Sequence, residues 1–180
     1  MTLRRLAGAL LLPMLLASTP APARAEIWAG LSGGVSLPQG TSPYGTLQVR
    51  PSAAIAVGWD SEFVGASLWA ALVTTQAGIL LSETCYPVMV RVRGRLPLGL
   101  AVPFVFGGVG FAPSRGSLDM VVDNTVAFTA QAGAGLDLVF GDRFTLGAEG
   151  GWLWLSPTHA FGTVNLNGVL LLATLALRFG

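Results

Sequence analysis

The sequence predicts an all-β chain closed into an eight-stranded antiparallel transmembrane β-barrel. Three observations carry that prediction. Apolar residues recur at every second position through eight runs of about ten residues, the period of a strand with two unlike faces. Charged residues make up only 11% of the chain, against about 25% in an ordinary soluble domain. The links between the runs alternate between short and long, as in barrels that cross an outer membrane.

The chain has 180 residues, 52% of them apolar, with 24 Gly and 11 Pro. Such a content of Gly and Pro disfavours long regular helices, and the high hydrophobicity excludes disorder. Met1–Ala25 reads as a Sec-type signal peptide. Arg4 and Arg5 precede the apolar stretch Leu6–Ala17, and Ala23-Arg24-Ala25 supplies a small-x-small cleavage pattern. The apolar stretch is too short for a membrane-spanning helix, and Pro13 interrupts it. Cleavage after Ala25 removes three Arg and no acid. The mature segment 26–180 then carries seven Arg against nine Asp and Glu, a formal −2. That balance favours no nucleic-acid partner.

The first run is Glu26–Leu37, with Ile27, Ala29, Leu31, Val35 and Leu37 opposing Glu26, Ser32, Gly34 and Ser36. The second, Gln48–Trp59, sets Val49, Ala53, Ile55, Val57 and Trp59 against Gln48, Arg50, Ser52 and Gly58. The third is Phe63–Leu72. In the fourth, Tyr86–Arg95, Val88, Val90 and Val92 alternate with Met89, Arg91 and Arg93. The fifth, Ala101–Ala112, has ambiguous faces. The sixth, Val126–Phe140, sets six apolar residues from Phe128 to Leu138 against Thr129, Gln131, Gly133, Gly135 and Asp137. The seventh, Phe144–Leu155, opposes Phe144, Leu146, Ala148, Trp152 and Trp154 to Thr145, Gly147, Glu149 and Gly151. The eighth, Val164–Phe179, opposes its Val, Leu, Ala and Phe series to Gly168, Thr174 and Arg178.

Short turns at Asp60–Glu62, Leu96–Leu100 and Gly141–Arg143 alternate with longer links at Pro38–Leu47, Val73–Cys85, Pro113–Thr125 and Ser156–Thr163. An even strand number then places both ends of the mature segment at the short-turn, periplasmic side. Ten strands are the alternative if Ile79–Leu81 and Leu118–Val122 belong to extra strands. These segments could equally extend the eight above the membrane. Pro51, Pro87 and Pro103 sit near the starts of their runs, where a lost ladder bond costs least.

A soluble barrel would turn the Val, Leu and Phe face inward and leave a surface of Gly, Ser and Thr with few charges. The reverse assignment fits better, with the apolar face against lipid. The lumen then receives small residues and a polar set: Arg50, Arg91, Arg93, Gln131, Asp137, Glu149 and Arg178. An eight-stranded barrel is just wide enough for side chains to fill it. Glu149 and Asp137 are the expected partners of the four Arg, which leaves a formal +2. The expected reading is a plugged lumen, and a narrow anion-preferring pore is the alternative. Trp59, Phe63, Phe140, Phe144 and Phe179 near the short turns, with Phe111, Phe128, Trp152 and Trp154 near the long links, fit two interfacial aromatic girdles.

Pro103–Gly110, the run Gln131–Val139 leading into Gly141-Asp142-Arg143-Phe144, and the closing Leu177-Arg178-Phe179 resemble the small bacterial outer-membrane β-barrels. That superfamily includes the OmpA transmembrane domain and the OmpX-like proteins. The resemblance spans the mature segment. It implies an outer-membrane location, insertion by the barrel-assembly machinery, and contact with outer-membrane lipids and lipopolysaccharide. Gly180 after Phe179 departs from the terminal aromatic usual in such chains, and no peptidoglycan-binding domain follows the barrel, so an anchoring role is not implied.

Some small barrels deacylate lipid A with a His-x-Ser arrangement. Here the single His, His159, is followed by Ala160-Phe161, so Phe161 stands in the place of the Ser. A lipid A hydrolase is therefore the weakest alternative, and His159 is expected to be a solvated loop residue. No catalytic residues, metal ligands or cofactor site are assigned. The lone Cys85 permits no intramolecular disulfide and is expected to be packed and inert. The expected role is structural or surface-interacting, without catalysis, with the long loops as contact surfaces for an extracellular ligand.

Overall fold

The computed structural model describes residues 26–40, 42, 44–78, 80–141 and 143–179. The expected signal peptide, Met1–Ala25, lies outside them. The strands are β1 (Glu26–Pro38), β2 (Arg50–Asp60), β3 (Val64–Ala77), β4 in two segments (Leu81–Cys85 and Val88–Arg95), β5 (Ala101–Leu118), β6 (Val121–Phe140), β7 (Phe144–Leu155) and β8 (Gly168–Phe179). Each pairs antiparallel with its sequence neighbours, and β8 closes onto β1, so the eight form one ring with no free side along the membrane-spanning length. The described residues contain no helix. Following paired residues round the ring from Trp28 returns to β1 at Pro38, a stagger of ten residues. With eight strands, such a stagger goes with a tilt of about 40°.

The interruption in β4 falls at Tyr86-Pro87, where Pro87 has no N–H to donate to the ladder. The strand continues through it, because the Ala71 N–H donates to the Pro87 carbonyl and the Tyr86 N–H to that of Pro113.

Two of the expected long links are not loops. Residues on both sides of Val73–Cys85 and Pro113–Thr125 stay in ladder, out to the Ala77–Leu81 and Leu118–Val121 pairs. These segments are extensions of the eight strands, so the ten-strand alternative fails. Apolar alternation fades along them because their outward residues, such as Ser82, Arg115, Ser117 and Asn124, meet water. Hydrophobic period reports lipid contact, whereas the ladder needs only backbone.

Outside, both aromatic rows are present. Trp59, Phe63, Phe140, Phe144 and Phe179 are exposed at the short-turn end, and Tyr86, Phe111, Phe128, Trp152 and Trp154 at the other. Phe140 and Phe128 are twelve residues apart on β6, which at that tilt is about 30 Å of height, the thickness of an apolar band with its girdles. Beyond Phe128 and Phe111, β5 and β6 run on as a hairpin for about another 18 Å.

Inside, residues of opposite parity are buried. Phe104 and Phe106 settle the ambiguous fifth run, because both point inward. Their rings lie over inward glycines of neighbouring strands. A Cβ at Gly133 or Gly151 would come within 2.8 or 2.9 Å of the Phe106 ring.

Candidate functional site

The lumen is filled in three layers. The short-turn half holds ion pairs. Arg91 makes a bidentate contact with Glu149 at 3.0 and 2.9 Å. Arg93 bonds Asp60 through two nitrogens and reaches Asp137 at 3.4 Å. Arg95 contacts Asp60 at 3.3 Å, and Arg178 bonds Glu26 at 2.9 Å and Thr145 at 2.9 Å. Aromatic rings stack on the guanidinium groups. Arg91 sits 3.9 Å from the Phe106 centroid and Arg93 4.5 Å from that of Trp28. Planar, always-charged Arg can accept a carboxylate at its edge and a ring on its face together.

Five of the seven expected lumen residues meet here: Arg91, Arg93, Asp137, Glu149 and Arg178. Gln131 is buried one level higher, and its Oε1 has no protein partner. Arg50 lies apart. It pairs with Ser36 near the outer end of β2 and donates a hydrogen bond to Gln48 at 3.3 Å, with no ion pair among the described residues. Its parity matches the lumen, but the strand tilt lifts it clear of Glu149 and Asp137. Sequence reasoning missed Glu26, Asp60 and Arg95 as members of the network. Parity carries the signal for all three, because Asp60 continues the inward series Ser52–Gly58, and Arg95 continues Arg91 and Arg93. The cluster holds Arg91, Arg93, Arg95 and Arg178 against Glu26, Asp60, Asp137 and Glu149, so the expected +2 becomes a balance of four and four. Two small cavities remain among these groups, of about 30 and 20 Å³, room for a few waters.

The middle layer is apolar. Trp69, Met89, Leu153, Leu155, Val164, Leu166, Leu170 and Leu172 pack with Cys85 and several alanines across the barrel. Val164 and Leu166, expected in the eighth run, precede the strand, which starts only at Gly168; they follow the last long link, which folds into the barrel mouth as a small hairpin, Thr158–His159 against Gly162–Thr163.

The third layer overturns the expectation for His159. Its side chain is completely buried, 3.1 Å from the equally buried Glu83 and stacked on Phe161 with centroids 4.8 Å apart. The Tyr44 hydroxyl donates to the Phe161 carbonyl and helps hold the hairpin inward. Glu83 and Cys85 stand on the extension above the outer aromatic row. Burial raises the Glu83 carboxyl above its ordinary range, an effect that His159 opposes. Burial likewise pushes the Cys85 thiol up, and Ser114 donates to its sulfur at 3.1 Å. A Cβ at Gly116 would lie 2.6 Å from Glu83 Oε2 and 2.8 Å from His159 Nε2, so a glycine is needed for this layer to close. No group of three or more metal-ligating side chains occurs among the described residues.

No family profile and no curated protein sequence matches the chain. Several solved structures are similar in fold. Neisserial surface protein A aligns at TM-score 0.64 and 12% identity, over 86% of this chain and 97% of that one. The N-terminal β-barrel domain of Pseudomonas aeruginosa OprF aligns at 0.59 and 10%, over 87% and 98%. The outer membrane protein OprG of the same organism aligns at 0.58 and 12%, over 87% and 96%. At these identities the likeness is one of fold. The chain has the eight-stranded antiparallel barrel fold of these three outer-membrane proteins.

Proposed function

We propose that this protein is an integral outer-membrane barrel with a closed lumen, serving a structural or surface-interacting role without catalysis. One observation carries the reading. Four guanidinium groups are matched by four carboxylates across the short-turn half, leaving only two small cavities of about 30 and 20 Å³, room for a few waters. An ion crossing this layer would have to part buried pairs, at about 3–5 kcal/mol for each one broken. The apolar layer above adds a second barrier. Without a surplus of positive charge, the anion-preferring pore loses the feature that suggested it. Burial of His159 between Glu83 and Phe161 likewise disfavours a lipid A hydrolase, because no acyl ester can approach its ring.

In this reading the short-turn end faces the periplasm, and the strand extensions and last hairpin face outward, where they are the surfaces available for contact. Planar-bilayer recording of the purified, refolded protein is the test. Silent membranes are expected; a steady, ion-selective current would overturn the closed lumen.

A further inference from the structure

The barrel wall has one unzipped seam. β6 pairs with β7 only as far as Thr129–Leu155, although β6 continues to Val121 and the chain after Leu155 stays extended. Beyond Leu155 the burial alternation persists, with Pro157 and His159 inward and Ser156, Thr158 and Ala160 outward. The next ladder positions would therefore be in phase, but the rungs are absent. On β6, odd-numbered residues serve the ladder to β5, so Val122, Asn124 and Val126 turn their N–H and C=O groups toward the seam. Thr158 does the same from the other lip. No ladder pairs these positions across the seam. A cavity of about 320 Å³ occupies the seam, floored by Phe128 and Trp154 and rimmed by Thr125, Ser156, Thr158 and Asn167.

We propose that this slit binds the phosphorylated sugar headgroup of an outer-leaflet glycolipid. The proposal rests on the reading that the long-loop end faces outward, and it names the ligand of that surface. Depth is the first argument. Phe128 and Trp154 belong to the outer aromatic row, so the slit opens at headgroup level. Chemistry is the second. Open rungs and side-chain hydroxyls present donors and acceptors together, which suits sugar hydroxyls, and Trp154 offers a flat face for a sugar ring. Charge is the third. Arg115 pairs with Asn124 on the same outer face, is exposed, and has no ion-pair partner among the described residues. A guanidinium there fits a phosphate. A docked peptide strand does not fit, because the Asp123 side chain alone bridges the lips, accepting from the Ala160 N–H at 2.7 Å. An inserted strand would need about 4.8 Å on each side.

The test uses the refolded mature protein in detergent micelles, with bound lipid read by native mass spectrometry. The probes are a short-sugar lipopolysaccharide, the same lipid after dephosphorylation, and phosphatidylglycerol. Saturable retention of the first is expected, at least tenfold weaker for the second and in Arg115→Ser, with no comparable retention of phosphatidylglycerol. In a Cys85→Ser background, Val126→Cys with Thr158→Cys should zip the seam on oxidation. Retention should then vanish and return on reduction. Heat-modifiable gel migration checks that each variant is folded. Equal retention of phosphatidylglycerol, unchanged retention in Arg115→Ser, or full retention by the oxidised pair would overturn the proposal. A bilayer current would refute the closed lumen while leaving the retention result intact, so the two readings fail separately.

Discussion

Removing the carboxylate of Glu149 leaves Arg91 as a buried cation without its anion. The two side chains are only 8% and 12% exposed and meet through two short bonds. Breaking one partner of such a pair costs about 3–5 kcal/mol. The Phe106 and Trp69 rings, at 3.9 and 5.4 Å, retain part of the cation's stabilisation, up to about 2 kcal/mol. Glu149→Gln is therefore expected to cost about 3 kcal/mol. At a urea dependence of about 2 kcal/mol per molar, the unfolding midpoint in micelles should fall by about 1.5 M. Arg91→Met should cost a similar amount, because it strands Glu149 instead. The double variant removes both charges and should lie within about 1 kcal/mol of the parent, giving a coupling energy of about 5 kcal/mol. Tryptophan fluorescence during urea unfolding measures all three. Additivity of the two single changes within about 0.5 kcal/mol would refute the reasoning, because it would mean that the groups are separately solvated in a wet channel.

Three further outcomes follow from the outer layer. Cys85, buried and held protonated, should resist iodoacetamide in the folded barrel and react fully in urea; labelling of the folded form would contradict its packing. Gly116→Val should force Glu83, His159 and Phe161 apart, at about 1–3 kcal/mol, and expose the last hairpin to protease while the membrane-embedded part stays resistant. Because the Glu83 carboxyl is raised in the fold, the folded state holds its proton at pH values where the unfolded chain has lost it. Stability should be greatest below the unfolded value near 4.5 and decline as pH rises through the raised folded one. His159, Cys85 and Asp123 are the groups facing this carboxyl. Glu83→Gln should flatten the slope in urea midpoints measured from pH 4.5 to 8, and an unchanged slope would assign it elsewhere.

What could be read in advance follows the physics of the surroundings. Where strands touch lipid, as in Val88–Val92 or Phe144–Trp154, alternation is enforced by solvent on one face and a crowded lumen on the other, and strand and facing are both legible. Above the membrane, Ser114–Ser117 and Ser82–Thr84 lose that constraint, so ladder-paired strands look like loops. Parity also locates lumen residues but not their height. Arg50 has the right parity and the wrong level, whereas Asp60 and Arg95 were hidden by their closeness to turns. His159 was illegible for another reason. Nothing local marks a loop that folds inward, because its burial depends on Glu83, 76 residues away, and on the space left by Gly116.

The central claim is that hydrocarbon, rather than water, contacts the outward apolar face. Spin labels placed singly at Met89, Val90, Arg91 and Val92 in a Cys85→Ser background, in reconstituted bilayers, test it most directly through relaxation by oxygen and by a water-soluble nickel chelate. The account predicts labels at Val90 and Val92 that are open to oxygen and closed to the chelate, with those at Met89 and Arg91 shielded from both. Ready access of the chelate to Val90 and Val92 would contradict it.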